Sequence, residues 1–434
     1  MKLWQKDNTE TSAIIEAFTV GRDTEFDLLL APYDVQGSIA HVTMLGEVGL
    51  MTREEAVQAV DALKEIAAEI GAGTFRIEEG VEDVHSQVEL LLTRRIGDIG
   101  KKIHSGRSRN DQVAVDIKLF LRAQLRTLRD EVEGLFSLLQ KQSERYRAVL
   151  LPGYTHLQLA MPSSFGMWLG AYAESLVDDL TLLAAAYEVT NKNPLGSGAG
   201  YGSSLPLNRT RTTELLHFGA LHYNSVYAQM SRGKTEKFVA TGMAAIASTL
   251  ARFSMDCCLY LNQNFSFISF PPGLTTGSSI MPHKKNPDVF ELIRGKCNRL
   301  QGLPNELTLL LTNLPSGYHR ELQLTKEILF PAFGELTDCL RLCRLMLEQL
   351  QVRPDILRED LYKYVFSVEA VNELVNQGIP FREAYRQVGN DIEQGVFEWD
   401  AARPLHHVHE GSIGNLATGQ IRAAFEKVAA RFDA

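Results

Sequence analysis

A chain of 434 residues is long enough for two or three domains around a large core. With 45% hydrophobic and 22% charged residues, its composition excludes a disordered or fibrous chain. A formal net charge of −9 argues against broad binding to nucleic acid or an anionic membrane surface, while leaving room for a local cationic pocket.

Helix dominates along the chain. The N-terminal stretch MKLWQKDNTETSAIIEAF lacks the unbroken apolar core of a signal peptide, and no stretch is expected to reach membrane-spanning length. Residues 52–70 open with Thr52 and Glu55 in capping-box spacing and continue with helical periodicity. Residues 74–78 (TFRIE) carry a short strand signal. Five longer helical stretches follow, at roughly 110–147, 162–191, 230–264, 288–313 and 325–350. In the second, Trp168, Leu169, Tyr172, Leu176, Leu180 and Leu183 lie at helical spacing with alanines 171, 173, 184, 185 and 186 between them. Apolar surface on several sides of a helix requires burial on several sides, more than one chain supplies for five such helices. Oligomerisation is therefore expected.

Pro152, Pro194, Pro271, Pro272 and Pro315 fall between these stretches and mark connections, and Gly302 with Pro304 bends or breaks the fourth helix. Residues 351–434 read as a smaller, more polar helical domain, with turns near Gly378 and Gly411. There is no internal repeat. The five cysteines, Cys257, Cys258, Cys297, Cys339 and Cys343, show no zinc-type spacing and suit a reduced cytoplasm; Cys339 and Cys343, four apart on one helix face, read as buried small hydrophobes.

Three segments concentrate chemistry. His104-Ser105-Gly106-Arg107-Ser108-Arg109-Asn110-Asp111-Gln112 packs charge and hydrogen-bonding groups ahead of a long helix. Asn110 or Asp111 would serve as an N-cap, and arginines beside a helix N-terminus suit a carboxylate. Pro152-Gly153-Tyr154-Thr155-His156-Leu157-Gln158 sets a histidine among aromatic and apolar residues, where a structural role is equally open. Thr275–Pro287 (TTGSSIMPHKKNP) has two prolines five apart that keep it from helix or inner strand, small residues in its first half, and cations in its second. Such a loop suits closure over a polyanionic substrate; an ordinary solvated basic loop has the same composition.

Together and in this order, the three segments resemble the argininosuccinate lyase family of the fumarase/aspartase superfamily, which includes the δ-crystallins. Residues 31–41 (APYDVQGSIAH), 82–89 (EDVHSQVE), 193–198 (NPLGSG) and 380–384 (PFREA) extend the resemblance over nearly the whole chain. It implies an all-α, three-domain fold: an N-terminal helical domain at 1–105, a central bundle of five long helices at 106–350, and a C-terminal helical domain at 351–434. It further implies a homotetramer whose pockets are each built from three subunits, and β-elimination of fumarate from argininosuccinate without metal or organic cofactor.

Residue by residue, the resemblance makes Ser279 the general base, with Lys285 and Asn286 stabilising the doubly charged aci-carboxylate that forms when the β-proton leaves. His156 would take part in proton transfer to the departing guanidino nitrogen, with Glu291 as its carboxylate partner. Ser108, Arg109, Asn110 and Thr155 would bind carboxylates; Tyr318, Gln323 and Lys326 would surround the arginine end. Three departures stand out. Trp4-Gln5-Lys6-Asp7-Asn8 replaces the family's Trp-Gly-Gly-Arg-Phe, and Met230-Ser231-Arg232-Gly233-Lys234 keeps the arginine of its Ser-Asp/Glu-Arg-Asp without the flanking acids. His283 replaces a Gln, as in adenylosuccinate lyases. An adenylosuccinate-type lyase or a non-catalytic δ-crystallin-like protein are the competing readings.

Overall fold

The computed structural model describes residues 13–433. The helices α1 (Ala13–Val20), α2 (Asp23–Glu47), α3 (Arg53–Gly71), α4 (Val84–Ile96) and the short α5 (Asp98–Lys101) precede the 37-residue α6 (Arg109–Arg145). A hairpin, β1 (Leu150–Thr155) and β2 (Gln158–Ser164), leads into α7 (Phe165–Thr190). Two-residue β3 (Lys192–Asn193) and β4 (Ala220–Leu221) pair in parallel around α8 (Arg209–Leu215). Then come α9 (Ser225–Met230), α10 (Lys234–Leu261), β5 (Ile268–Ser269), α11 (Asp288–Leu300), α12 (Leu303–Leu310) and α13 (Leu324–Glu348). After β6 (Gln351–Val352), which pairs with β5, the chain ends in α14 (Ser367–Asn376), α15 (Phe381–Glu393) and α16 (Thr418–Ala429). The architecture is all-α with only two-stranded sheets among the described residues.

The long helices α6, α7, α10, α11 and α13 build one core. It holds Leu125, Leu128, Phe136, Leu169, Leu176, Leu180, Met243, Ile246, Leu250, Leu336 and Leu340. Close approach at the start of α7 depends on Gly166, where a Cβ would lie 2.6 Å from the Arg147 Cα; Ser143 Oγ donates to its carbonyl at 2.7 Å. Asp256, half-buried on α10, accepts from Trp168 Nε1 (3.0 Å) and Tyr172 OH (2.6 Å), so α7 satisfies the carboxylate. A second core (Val35, Leu45, Leu63, Ile66, Val88, Leu92) lies among α2, α3 and α4, and a small third (Val371, Ala384, Val388, Phe397) belongs to the C-terminal helices. The last helix returns to the main bundle, with Phe425 stacked on Phe136 at 4.0 Å.

Several boundaries differ from the sequence reading for local reasons. Residues 74–78 form no strand; the chain there is irregular between α3 and α4. The stretch begun at 162 starts as a helix only at Phe165, because Pro162–Ser164 pairs with Leu150–Pro152 and Ser164 then caps the helix. Pro152 therefore sits inside β1 rather than in a bare connection. The fourth stretch breaks at Gln301-Gly302 between α11 and α12. Segment 23–47 carries Pro32 and Gly37, which blur its helical signal, yet forms 25 residues of helix. By length and composition α10 is apolar enough to cross a membrane, contrary to the sequence expectation, with a mean hydropathy of 1.3 over its most apolar window; 61% of that window is buried inside the protein. The capping box at Thr52 and Glu55 is formed, and Cys339 and Cys343 are buried one turn apart on α13.

Candidate active site

One helix face organises the first half of the site. On α2, Asp27, Asp34, Ser38 and His41 recur at helical spacing and all are buried, a polar stripe where an apolar one would be usual. Each member holds a different piece of chain. Asp27 accepts the Lys326 ammonium at 2.5 Å, and Asp23 takes the same nitrogen at 2.7 Å. Asp34 meets His85 Nδ1 at 2.7 Å. Ser38 accepts from Arg107 at 2.9 Å, and His41 Nε2 meets the Ser105 carbonyl at 2.9 Å.

The cluster of Asp34, His85 and Asp116 brings its ligand atoms within 4.8 Å of one another, as a cation site would. Its positive charge comes from the protein. Burial opposes the His85 imidazolium, but Asp34 above all, with Asp83 and Asp116, raises its pKa to about 9. The buried Arg107 faces the same carboxylates.

Ser108 caps α6: its Oγ accepts the Asn110 N–H at 3.3 Å, and Asp111 returns an oxygen to the Ser108 N–H at 2.8 Å. The N-cap is thus Ser108 rather than Asn110 or Asp111. Arg109 is held on all three nitrogens: Nε by Asp83 (2.8 Å), Nη1 by Glu82 (3.3 Å) and Nη2 by Ser86 Oγ (2.8 Å). Burial would raise the Asp83 carboxyl; His85, Arg109 and the Ser86 hydrogen bonds outweigh it and hold the pKa below the usual range. Among the described residues, two of the five guanidinium N–H groups have no acceptor.

The 318–326 segment joins this region. Gln323 Nε2 and Arg320 Nη2 both donate to the Thr19 carbonyl at 3.0 Å, and Arg320 Nη2 lies 3.6 Å from Glu82. Lys326 is buried, which lowers its pKa, but Asp27 and Asp23 more than compensate and it stays charged. Tyr318 is half-buried against the bundle core.

The other two segments stand apart. His156 and Leu157 form the two-residue tip of the β1–β2 hairpin, with φ of 54° and 59°. A tip with both residues left-handed normally uses Asn and Gly. Two residues with side chains here store strain of the kind found at functional sites. Thr155 and His156 are exposed, Leu157 is 83% exposed, and His156 makes no hydrogen bond or ion pair among the described residues.

The 275–287 loop is closed at its neck. Thr276 and Asn286 bridge (Asn286 N–H to Thr276 O, 2.8 Å), the Asn286 side-chain amide donates to Thr276 Oγ1 and the Gly277 carbonyl at 3.3 Å, and Thr276 bonds Asp288. Ser278 Oγ accepts the N–H groups of Ile280 (3.3 Å) and Met281 (3.2 Å). Ser279, Ile280, Lys284 and Lys285 are exposed above that neck, and Glu291 is exposed on the first turn of α11. Among the described residues no hydrogen bond or ion pair links the 104–110, 154–158 and 275–287 segments.

A family model described as lyase matches residues 6–302. Argininosuccinate lyase of Bacteroides fragilis is 58% identical over 432 residues, covering 100% of this chain and 96% of its own, and that of Parabacteroides distasonis is 59% identical over 431 residues, covering 99% and 96%. The chain belongs to the argininosuccinate lyase family. Among solved structures, EDDS lyase in complex with formate superposes with a TM-score of 0.76 at 24% identity, covering 98% of this chain and 91% of that one. A fumarate lyase:delta crystallin from Brucella melitensis bound to cobalt gives 0.71 at 15%, covering 94% and 91%. Both share the fold.

The family's missing acids beside Arg232 acquire a structural answer. Arg232 is buried, its Nε lies 3.2 Å from Glu236, one helical turn on, and Nη2 donates to the Leu322 carbonyl at 3.3 Å. Glu236 thus neutralises the arginine where Ser231 and Gly233 do not. Trp4–Asn8 lies outside the described residues. Sequence reasoning passed over Asp27, Asp34, Asp116 and Glu236; the signal for the first three was buried-side polar residues at helical spacing within otherwise apolar segments.

Proposed function

We propose that this protein splits argininosuccinate into arginine and fumarate, as the last step of arginine biosynthesis. Ser279 takes the proton from the carbon β to the departing nitrogen, the freed electron pair forms the fumarate double bond, and the C–N bond breaks toward the guanidino group. That group gains a proton with the help of His156, oriented by Glu291. Charge on the aci-carboxylate is met by Lys285 and Asn286; donors fixed on such a charge contribute roughly 3–4 kcal/mol each. Acid–base help adds roughly 10²–10⁴-fold. Ser108, Arg109, Asn110 and Thr155 bind carboxylates, and Tyr318, Gln323 and Lys326 border the arginine end. The reaction draws on no metal or organic cofactor.

The observation that carries this reading is full-length identity of 58% to an argininosuccinate lyase in a chain that retains all of these groups. The site is completed in a homotetramer, each pocket drawing on three subunits. The bare hairpin tip supports this, as do exposed apolar residues on the long helices, among them Leu182, Phe238, Leu292, Leu342 and Leu345. Residues 1–105, 106–350 and 351–434 act as three domains, and the unpaired cysteines suit the cytoplasm. Incubating the purified protein with argininosuccinate and assaying both products tests the reading. Equal appearance of arginine and fumarate is expected; release of neither by a folded tetramer overturns it.

A further inference from the structure

Asp111 is fully buried at the start of α6, and it does more than cap the helix. One oxygen accepts the Ser108 N–H at 2.8 Å. The other accepts two more amides, those of Gly196 and Gly198, each at 2.9 Å. A capping box needs only the first bond. The second oxygen ties the helix start to a turn 85 residues further along the chain.

That turn is itself fixed. Asn193 Oδ1 accepts the Leu195 N–H at 2.9 Å, while its Nδ2 donates to Thr212 (3.1 Å) and Thr213 (2.9 Å). Arg209 donates to the carbonyls of Leu195 (2.9 Å) and Pro194 (3.3 Å). Gly196 and Gly198 have φ of 82° and 60°, and a Cβ on Gly196 would lie 2.8 Å from the Arg209 side chain. The turn therefore presents two N–H groups to one point, an anion nest filled by the protein's own carboxylate.

The bond to Asp111 also decides which donors face outward. The Ser108 N–H is taken; its hydroxyl accepts from Asn110 and keeps its own proton to give, and the Asn110 side-chain amide makes no hydrogen bond among the described residues. We propose that Asp111 is a positioning residue: a three-amide clamp that holds Ser108, Arg109 and Asn110 against the Gly196–Gly198 turn and so sets how that edge receives a substrate carboxylate. This rests on the lyase reading above.

Asp111→Asn keeps the shape but turns an NH2 group toward one set of amides. For this variant, KM for argininosuccinate and Kd for fumarate rise together by about 10- to 100-fold, with kcat within about threefold of wild type. A lower melting temperature or less tetramer, with wild-type KM and Kd in the folded fraction, would show a structural role alone and overturn the proposal. If Asp111→Asn does not fold, Asp111→Ser, whose single, shorter-reaching oxygen replaces the two that serve Ser108 and the glycine turn, is measured in the same way; failure of both to fold likewise overturns it. Wild type that binds fumarate but releases none from argininosuccinate removes the lyase reading, and the clamp is then decided by the fumarate Kd of the variant. Wild type that does not bind fumarate overturns the clamp.

Discussion

The region around α2 and the two projections, hairpin tip and 275–287 loop, solve opposite problems. Around α2 nearly every charge has a partner: Lys326 between two aspartates, Arg109 on three acceptors, His85 between Asp34 and Asp116. On the projections Ser279, Lys285 and His156 are exposed and make no side-chain hydrogen bond or ion pair among the described residues. Groups that must recognise a fixed carboxylate gain from being held rigid before the substrate arrives. A base and a proton donor gain little until water is excluded, and closure can supply that at the moment of use. The same division separates what a variant should lose.

The largest effect is expected where no structure depends on the side chain. Ser279→Ala should lower kcat by about 10²–10⁴-fold with an unchanged melting temperature, since its hydroxyl is exposed and makes no hydrogen bond among the described residues. Retained turnover would remove it from the mechanism. On the paired side the loss should be of stability as well. Lys326→Met leaves Asp23 and Asp27 without their cation, and chemical denaturation should show about 3–5 kcal/mol less stability. A loss below about 1 kcal/mol would mean that the aspartates reach water or another partner.

A subtler effect is set by pH. The folded pKa of His85, about 9, lies above the ordinary value of 6.5. Its contribution is therefore fully present below about 6.5 and fades as pH rises through 9. Wild type should lose up to about 3 kcal/mol of stability across that window, and His85→Gln should lose none of that share. Parallel pH curves for the two proteins would show that His85 is neutral in the folded state.

Much of this was legible in the sequence, for physical reasons that differ by element. The long helices announced themselves because Trp168, Leu169, Tyr172, Leu176 and Leu180 keep one period over several turns. The break at Gly302 and the box at Thr52 are local backbone chemistry, which a sequence states directly. The hairpin was not visible, since Leu150–Ser164 carries neither strict alternation nor a turn dipeptide; His156-Leu157 fills a left-handed tip that other residues prefer. The α2 stripe was hidden by its own polarity: burial of Asp34 and His41 depends on partners 51 and 64 residues away, and no local pattern encodes those. Likewise the loss of acid next to Arg232 reads as a defect until the helix brings Glu236 around by one turn.

The central claim is that the two projections of one chain, the hairpin tip and the 275–287 loop, serve different pockets. Mixing Ser279→Ala with His156→Asn tetramers, after dissociation and reassembly, tests it most directly. Each variant alone should be nearly inactive in releasing fumarate from argininosuccinate. Reassembled mixtures should regain activity, because some pockets then draw an intact serine from one subunit and an intact histidine from another. Mixed tetramers that remain as inactive as their parents would contradict the account.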